Sequence, residues 1–325
     1  MRSKSLLVTV LIALACALMV MPLMAQDQPP PTDESGMDPV TTPAPLPTRM
    51  PRPAVYLMAE NGGAELHFFF QVLPQGDSGL ARVVGNNIAN VRARFLDRLI
   101  DFFPIDDEFY GLLSAGMETP TGRSNALAVY VTFADGTRAT LETTVEIVLG
   151  GFIRQNVTLA PDKGYLLDIE TERNELARLE SVFSTVTEER MWDEDGFQMP
   201  IAAALTSPFG AFRTFNSTLN TRHTGWDIRT TIGVPVLASA AGRVAYTGEM
   251  EIRGNLVVID HGYGVYSTYS HLSTIHVTRG ERVEKGQVIG TTGDTGRTSG
   301  AHFHWEMAVN GNWVNSVQFI EMWMP

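Results

Sequence analysis

Near its C-terminus the chain reads His302-Phe303-His304-Trp305-Glu306. Side chains in a β-strand alternate between two faces, so both histidines lie on one face and the two aromatic rings on the other. This alternation predicts a half-buried strand that carries two imidazoles on its polar side. Ordinary half-exposed strands also carry such pairs, so the pair indicates a site only if it has partners elsewhere in the chain.

Two more short motifs contain histidine, namely His223-x-Gly-x-Asp227 and the run Tyr269-Ser-His-Leu272, whose histidine is His271. If residues 223–227 are extended, His223 and Asp227 share a face. Two imidazoles and one carboxylate form a suitable zinc set that leaves a fourth position for water. The chain contains no HExxH, which excludes the helical zincin type of site.

The same part of the chain offers two other chemistries. A Ser-His-Asp triad could use Ser270 or Ser299, but no GxSxG elbow accompanies either serine. The run Val283–Gly290 has the hairpin texture of lipoyl- and biotinyl-type domains. Lys285 lacks the tight turn flanked by Met or Ala that such carriers place around their lysine, so a carrier function is rejected.

The motifs of residues 207–315 together resemble the LytM/lysostaphin-type zinc endopeptidases. In the family's order and spacing, the resemblance runs through Ser207-Pro-Phe-Gly210, His223-x-Gly-x-Asp227, Gly233-Val-Pro-Val236, Ala241-Gly-Arg-Val244, Gly254-Asn-Leu-Val-Val-Ile-Asp-His-Gly262, Tyr269-Ser-His-Leu272, Val283-Glu-Lys-Gly-Gln-Val-Ile-Gly290 and Gly300-Ala-His-Phe-His-Trp-Glu306. It covers about a third of the chain, which makes it far more specific than any single short motif.

The resemblance implies a zinc-dependent endopeptidase with one Zn²⁺ per chain and bacterial peptidoglycan as its substrate. By position in the motifs, the metal ligands would be His223, Asp227 and His304. The catalytic histidines would be His271 and His302. Only the second histidine of the HxH pair would therefore bind the metal.

Two other classes of function stay open. Some domains of this family lack metal ligands and instead bind and activate a wall amidase as non-catalytic envelope proteins. An adhesin built on the N-terminal β domain, with an incidental peptidase fold, is the weaker alternative. All three ligand positions and both catalytic positions are filled here, which favours the enzyme.

The rest of the chain predicts a mainly β protein. About seven short β-rich runs in residues 54–160, with an Asp135–Gly136 hairpin signal, favour an immunoglobulin-like sandwich. The predicted strands are Val55–Ala59, Leu66–Leu73, Val91–Leu96, Phe109–Ala115, Leu127–Phe133, Ala139–Val148 and Phe152–Leu159. Apolar residues at helical spacing between 169 and 190, including Leu179, Phe183 and Val186, predict a connecting helix within residues 161–200. Residues 201–325 would then form an antiparallel β-sheet peptidase domain with the zinc groove on its face.

The N-terminus is typical of an exported protein. Residues 1–25 have Arg2 and Lys4 before an apolar stretch over 6–25, which predicts a signal peptide or, if it is uncleaved, a membrane anchor. Cys16 is the only cysteine and lies within this stretch, so cleavage would leave no thiol for disulfides or catalysis. Residues 26–53 are a Pro-rich linker. We expect a secreted or cell-envelope protein.

Charge is distributed unevenly. The formal net charge is −12. Residues 201–325 hold nine Lys/Arg and nine Asp/Glu, so the acidic excess lies in the N-terminal part. The chain therefore lacks the basic surface that nucleic acid binding requires.

Overall fold

The computed structural model of the protein describes residues 47–325. The expected signal or anchor over 1–25, and the linker up to residue 46, lie outside the described residues. Within residues 47–325, no helix is both long and apolar enough to cross a bilayer.

Strands dominate the chain up to residue 148. They are β1 Tyr56–Asn61, β2 Ala64–Phe68, β3 Leu73–Pro74, β4 Ser78–Gly85, β5 Ile88–Phe95, β6 Arg98–Asp101, β7 Phe103–Ile105, β8 Glu108–Ser114, β9 Ser124–Phe133 and β10 Arg138–Val148. One sheet has the order β1-β2-β4-β8-β7, and the other has the order β3-β10-β9-β5-β6.

The two N-terminal sheets bury one shared core. In β9, Leu127, Val129 and Val131 are buried at every second position, as a strand with one face on a core requires. Their cluster includes Leu66 and Leu113 of the other sheet. β9 and β10 pair antiparallel around Asp135 and Gly136, which confirms the predicted hairpin. The immunoglobulin-like topology stays a prediction.

The next segment links the N-terminal sheets to the C-terminal half. It contains β11 Arg154–Val157, a 3-10 helix Pro161–Leu167 and α1 Ile169–Phe183. Asp168 caps α1, since its carboxylate accepts hydrogen bonds from the backbone N–H groups of Glu170 and Thr171. We call residues 154–172 the connecting segment.

The C-terminal half is built on a large antiparallel sheet. Its elements are β12 Leu205–Ser207, β13 Phe212–Phe215, β14 Leu219–Arg222, β15 Trp226–Arg229, β16 Pro235–Leu237, β17 Gly242–Met250, β18 Gly254–Gly262, β19 Val265–Ile275, β20 Arg282–Val283, β21 Val288–Thr292, β22 His302–Val309, β23 Asn312–Val314 and α2 Ser316–Glu321. The main strand order is β12-β15-β22-β19-β18-β17-β20, and β11, β13 and β14 form a separate small sheet.

The N-terminal sheets pack directly on the C-terminal half. Phe103 contacts Trp192 edge to face at 5.2 Å between ring centroids and belongs to the same buried cluster as β19 and β22 residues. The Ser114 hydroxyl donates to the Val309 carbonyl at 2.9 Å. Gln318 exchanges hydrogen bonds with the Ser78 backbone. Strands β4 and β8 are therefore fixed against the C-terminal half.

Two expectations about elements differ from the structure. The helix expected over 169–190 ends at Phe183, and Val186 is exposed beyond it. The helix does not continue because backbone carbonyls beyond Phe183 form hydrogen bonds with residues of the C-terminal half. The Tyr266 hydroxyl donates to the Thr185 carbonyl, and the Thr187 carbonyl accepts from the backbone of Tyr263 at 2.8 Å. The run expected at 152–159 among the N-terminal strands contains β11, which pairs parallel with β13.

Candidate metal centre

Three neighbouring strands assemble the site. β15 and β22 pair so that Asp227 lies opposite His304. β19 flanks β22 on its other side. Ser270 of β19 pairs with His304, and His271 is the next residue of β19. Strand register thus brings Asp227, His271 and His304 together, and His223 lies in the short connection just before β15.

Gly225 allows β15 to approach β22. A Cβ atom at this position would lie 2.3 Å from the backbone oxygen of Trp305 and 2.9 Å from its carbonyl carbon. Any side chain would push the two strands apart. The glycine of the His223-x-Gly-x-Asp227 motif therefore keeps Asp227 beside His304.

The three side chains expected to bind metal meet at one point. His223 Nε2, Asp227 Oδ1 and His304 Nδ1 lie 2.9–3.0 Å from one another. Ligand atoms around a tetrahedral zinc ion, with bonds of about 2.0–2.1 Å, lie about 3.3 Å apart. Small outward shifts of these donors would thus accommodate zinc, and they form a group suited to a metal ion.

The other ring nitrogen of each ligand histidine is also engaged. His223 Nδ1 lies 2.8 Å from the Pro208 carbonyl, and His304 Nε2 lies 3.2 Å from a Glu306 carboxylate oxygen. Both partners are acceptors, so these nitrogens carry the proton and donate. The remaining nitrogens point their lone pairs toward the centre, which is the usual arrangement around a ligating histidine.

His271 and His302 line the same site. His271 Nδ1 donates to the Thr295 carbonyl at 2.8 Å, and His302 Nδ1 donates to the Gly300 carbonyl at 2.9 Å. Their rings are 4.9 Å apart. His271 has a φ of 59°, an uncommon conformation for a residue with a side chain and one found preferentially at functional sites.

Glu306 belongs to a buried ionic network that the sequence motifs did not reveal. Its two oxygens accept hydrogen bonds from Arg253 at 2.6 and 3.0 Å. Arg253 also donates to Glu175 of α1 at 3.1 Å. Glu306 lies two residues from its partner His304, but Arg253 lies 53 residues away from Glu306 in sequence and Glu175 lies further still. Nothing local in the sequence could have identified them.

Arg213 is a second residue of the site that none of the sequence motifs contains. It forms an ion pair with Asp227 Oδ2 and donates to the Ser207 hydroxyl at 2.7 Å. Gln155 of β11 accepts a hydrogen bond from that hydroxyl at 2.6 Å. These contacts leave Asp227 Oδ1 as the oxygen that faces the histidines.

The environment sets the protonation of the site. Burial lowers the pKa of His223 to about 4 and holds the pKa of His271 well below its ordinary value. Burial alone would raise the pKa of Asp227, but His223 and Arg213 hold it well below its usual range. Burial disfavours charge on His304 as well, yet Glu306 raises its pKa. A carboxylate behind a ligating imidazole increases basicity in this way.

The other histidine and serine candidates are arranged differently. The Ser270 hydroxyl is buried and has no hydrogen-bond partner among residues 47–325, so it does not contact a histidine as a triad requires. His261 is fully buried, with its nitrogens bonded to the Ala241 carbonyl and the Ser267 hydroxyl. Both nitrogens of His261 therefore serve hydrogen bonds inside the fold, away from the three proposed ligands.

Comparisons with known proteins concern the part of the chain that contains this centre. The profile of Peptidase family M23 matches residues 221–316. The peptidoglycan DD-endopeptidase ShyA of Vibrio cholerae is 44% identical over 96 residues, which cover 30% of this chain and 22% of ShyA. The DD-carboxypeptidase/endopeptidase Mpg of Neisseria meningitidis is 40% identical over 129 residues, which cover 38% of this chain and 29% of Mpg. The chain thus spans less than a third of either relative.

A solved structure shares more of the chain. A Pseudomonas aeruginosa protein of the peptidase M23 type superposes with a TM-score of 0.55 and 24% identity over 78% of this chain and 96% of that chain. This likeness concerns the fold. The sequence resemblance expected from the motifs is confirmed, and residues 221–316 of this chain are a peptidase family M23 domain.

Proposed function

We propose that this protein is a zinc-dependent endopeptidase that hydrolyses peptide bonds in the stem peptides or crossbridges of bacterial peptidoglycan. The observation that carries the proposal is the convergence of His223, Asp227 and His304 beside His271 and His302. ShyA is named a peptidoglycan DD-endopeptidase and Mpg a DD-carboxypeptidase/endopeptidase. These names support peptidoglycan peptides as the class of substrate. The expected export signal supports an extracytoplasmic location.

The proposed ligands are His223 Nε2, Asp227 Oδ1 and His304 Nδ1. When bound there, zinc supplies Lewis acidity, which lowers the pKa of water and polarises a peptide carbonyl. The chain's own residues fix the three donors, since Pro208 orients His223, Glu306 orients His304 and Arg213 holds Asp227.

The proposed catalytic histidines are prepared for proton transfer by their backbone partners. Because Nδ1 of each ring donates to a carbonyl, Nε2 is left as the acceptor in the neutral form. One histidine would take the proton from the attacking water on its Nε2 and then pass it to the leaving amine. The other, when protonated at Nε2, would stabilise negative charge on the substrate oxygen.

The metal is tested on the purified full chain. We expect about one zinc per chain, as a three-ligand catalytic site requires. His223→Ala and Asp227→Ala should each remove both the metal and the activity, because two remaining ligands hold zinc poorly. Elemental analysis and peptidase assays measure the two effects. Full activity after exhaustive chelation would contradict the zinc proposal.

The substrate bond is tested by digesting purified peptidoglycan of defined chemistry. Endopeptidase action should release soluble muropeptides and new amino groups while the number of reducing ends stays constant. Mass analysis of the fragments identifies the cut bond. New reducing ends, or intact stem peptides cut from muramic acid, would place the bond elsewhere. If no fragment is released by the zinc-loaded chain, the alternative of a non-catalytic amidase activator is favoured.

A further inference from the structure

Four arginines line the cavity beside the metal centre, although the chain as a whole is acidic. They are Arg213, Arg222, Arg253 and Arg297. Arg213 pairs with Asp227, and Arg253 pairs with Glu306 and Glu175. Arg222 lies between aromatic rings and pairs with Glu118. Arg297 differs from Arg213 and Arg253, because no carboxylate within residues 221–316 forms an ion pair with it.

Arg297 is held close to the catalytic histidines. It lies in the loop between β21 and β22, two residues after Thr295, whose carbonyl accepts the hydrogen bond from His271. Its guanidinium lies over the Phe215 ring at 4.5 Å, and its side chain is only 7% exposed. The cation is therefore fixed at the wall of the cavity that also contains His223, His271 and His304.

The carboxylate that neutralises Arg297 belongs to the connecting segment. Glu172, in the first turn of α1, contacts Arg297 Nη1 at 2.8 Å and is itself buried. The same segment contributes the Leu166 carbonyl at 3.4 Å from that nitrogen, and Lys163 donates to the Thr298 hydroxyl at 2.6 Å. Residues from outside the M23 domain thus close over the arginine.

We propose that Arg297 recognises a carboxylate of the substrate peptide, and that Glu172 occupies its place in this structure. Substrate can reach Arg297 only when the first turn of α1 moves away. A buried guanidinium left without a partner is costly, and a substrate carboxylate restores the pair. This inference rests on the proposed peptidase function and specifies its substrates as peptides with a free carboxylate beside the scissile bond.

Binding to the metal-free full chain provides the first test, because no cleavage can occur. The probes are a stem tetrapeptide ending in D-Ala, as the free acid and with its carboxyl groups amidated. Calorimetry should show about ten- to a hundredfold tighter binding of the free acid, the range expected for a charge-assisted hydrogen bond. Equal affinity for both forms would overturn the proposal.

Variants assign the effect to the pair. Arg297→Gln should remove the preference for the free acid while leaving the affinity for the amidated form unchanged, and Arg297→Lys should keep part of the preference. Glu172→Gln should tighten binding of the free acid, because the competing carboxylate is neutralised. Arg279→Gln, at an exposed arginine of the same domain, is the matched control.

Zinc content and cleavage separate this inference from the proposed function. All four variants should bind zinc like the wild type. The proposal is overturned if Arg297→Gln loses zinc, or loses affinity for both forms of the peptide, and Glu172→Gln does not bind the free acid more tightly. That result would show that the ion pair is merely structural. If the zinc-loaded wild type cuts free and amidated muropeptides with equal kcat/KM, recognition is wrong but hydrolysis stands. If it cuts neither yet binds the free acid more tightly, hydrolysis is wrong and recognition stands.

Discussion

At the scale of single residues, Glu306 controls the basicity of the proposed ligand His304. The carboxylate is fully buried, accepts the hydrogen bond from His304 Nε2 and is neutralised by Arg253. Substituting a partner of this kind typically weakens metal binding about 10- to 100-fold. We therefore expect Glu306→Gln to lose zinc affinity by that amount in a competition titration with a chelator.

A matched control for this substitution is Glu249→Gln, because Glu249 is exposed at the edge of the sheet. It should leave the zinc affinity unchanged. Equal zinc affinity in both variants would mean that Glu306 serves only to neutralise Arg253.

The two histidines that are not proposed ligands should behave differently from the three that are. His271→Ala and His302→Ala should keep most of the zinc, because neither ring supplies a donor to the proposed set. Each should lower kcat by about 100- to 10,000-fold, as removal of a general acid or base does. Zinc analysis and peptidoglycan assays on the same samples measure both. If His302→Ala loses zinc while His304→Ala retains it, the assignment within the pair is reversed.

At the scale of elements, the separation of β15 from β22 decides whether a metal site exists. Gly225→Ala would place a methyl group 2.3 Å from the Trp305 oxygen, so the strands must separate and carry Asp227 away from His304. We expect loss of most zinc binding and destabilisation of about 1–3 kcal/mol, typical of overpacking. Calorimetric unfolding and zinc analysis measure these effects.

Gly151→Ala is the control for Gly225→Ala, because a Cβ there would meet nothing within 4 Å. It should fold and bind zinc like the wild type. Unchanged zinc content in Gly225→Ala would show that the strands tolerate the methyl group without moving the ligands.

Strands with regular alternation were predictable from sequence, and elements set by tertiary partners were not. The β9–β10 hairpin follows from its Asp-Gly turn and buried valines. The sequence did not predict β4. Its inward positions include Gly79 and Ala81, whose small side chains differ little in hydrophobicity from their neighbours and so give no clear alternation. α1 has a predictable start at Asp168, but its polar positions Glu172 and Glu175 are buried by arginines far away in sequence.

At the scale of the whole molecule, the motifs name the five histidine and aspartate residues of the proposed site, but not the residues that surround them. His223, Asp227 and His304 come together as the resemblance implied. The connecting segment packs on the small sheet beside these residues, where Leu159 and Phe215 share a buried cluster, and the two parts of the chain carry no common motif. Local patterns do not encode such pairings, so only the folded chain shows them.

The contact between the N-terminal sheets and the C-terminal half contains a carboxyl group that should make stability depend on pH. Asp77 lies just before β4 and accepts a hydrogen bond from Asn315 at 3.4 Å. Asn315 also accepts from the Trp226 indole at 2.8 Å, next to Asp227. Burial raises the pKa of Asp77 from 3.8 to about 6.

A carboxyl group whose pKa is raised by folding binds its proton more tightly in the folded state. Its contribution to stability is therefore complete below pH 4 and is lost as the pH rises through 6. A shift of about two pKa units corresponds to at most about 3 kcal/mol at neutral pH. Asp77→Asn cannot ionise, so it should be more stable than the wild type at pH 7.5 by up to that amount and similar to it at pH 4. Urea unfolding at pH 4, 5, 6 and 7.5 measures the difference, and a difference that stays constant across this range would show that Asp77 does not titrate in the contact.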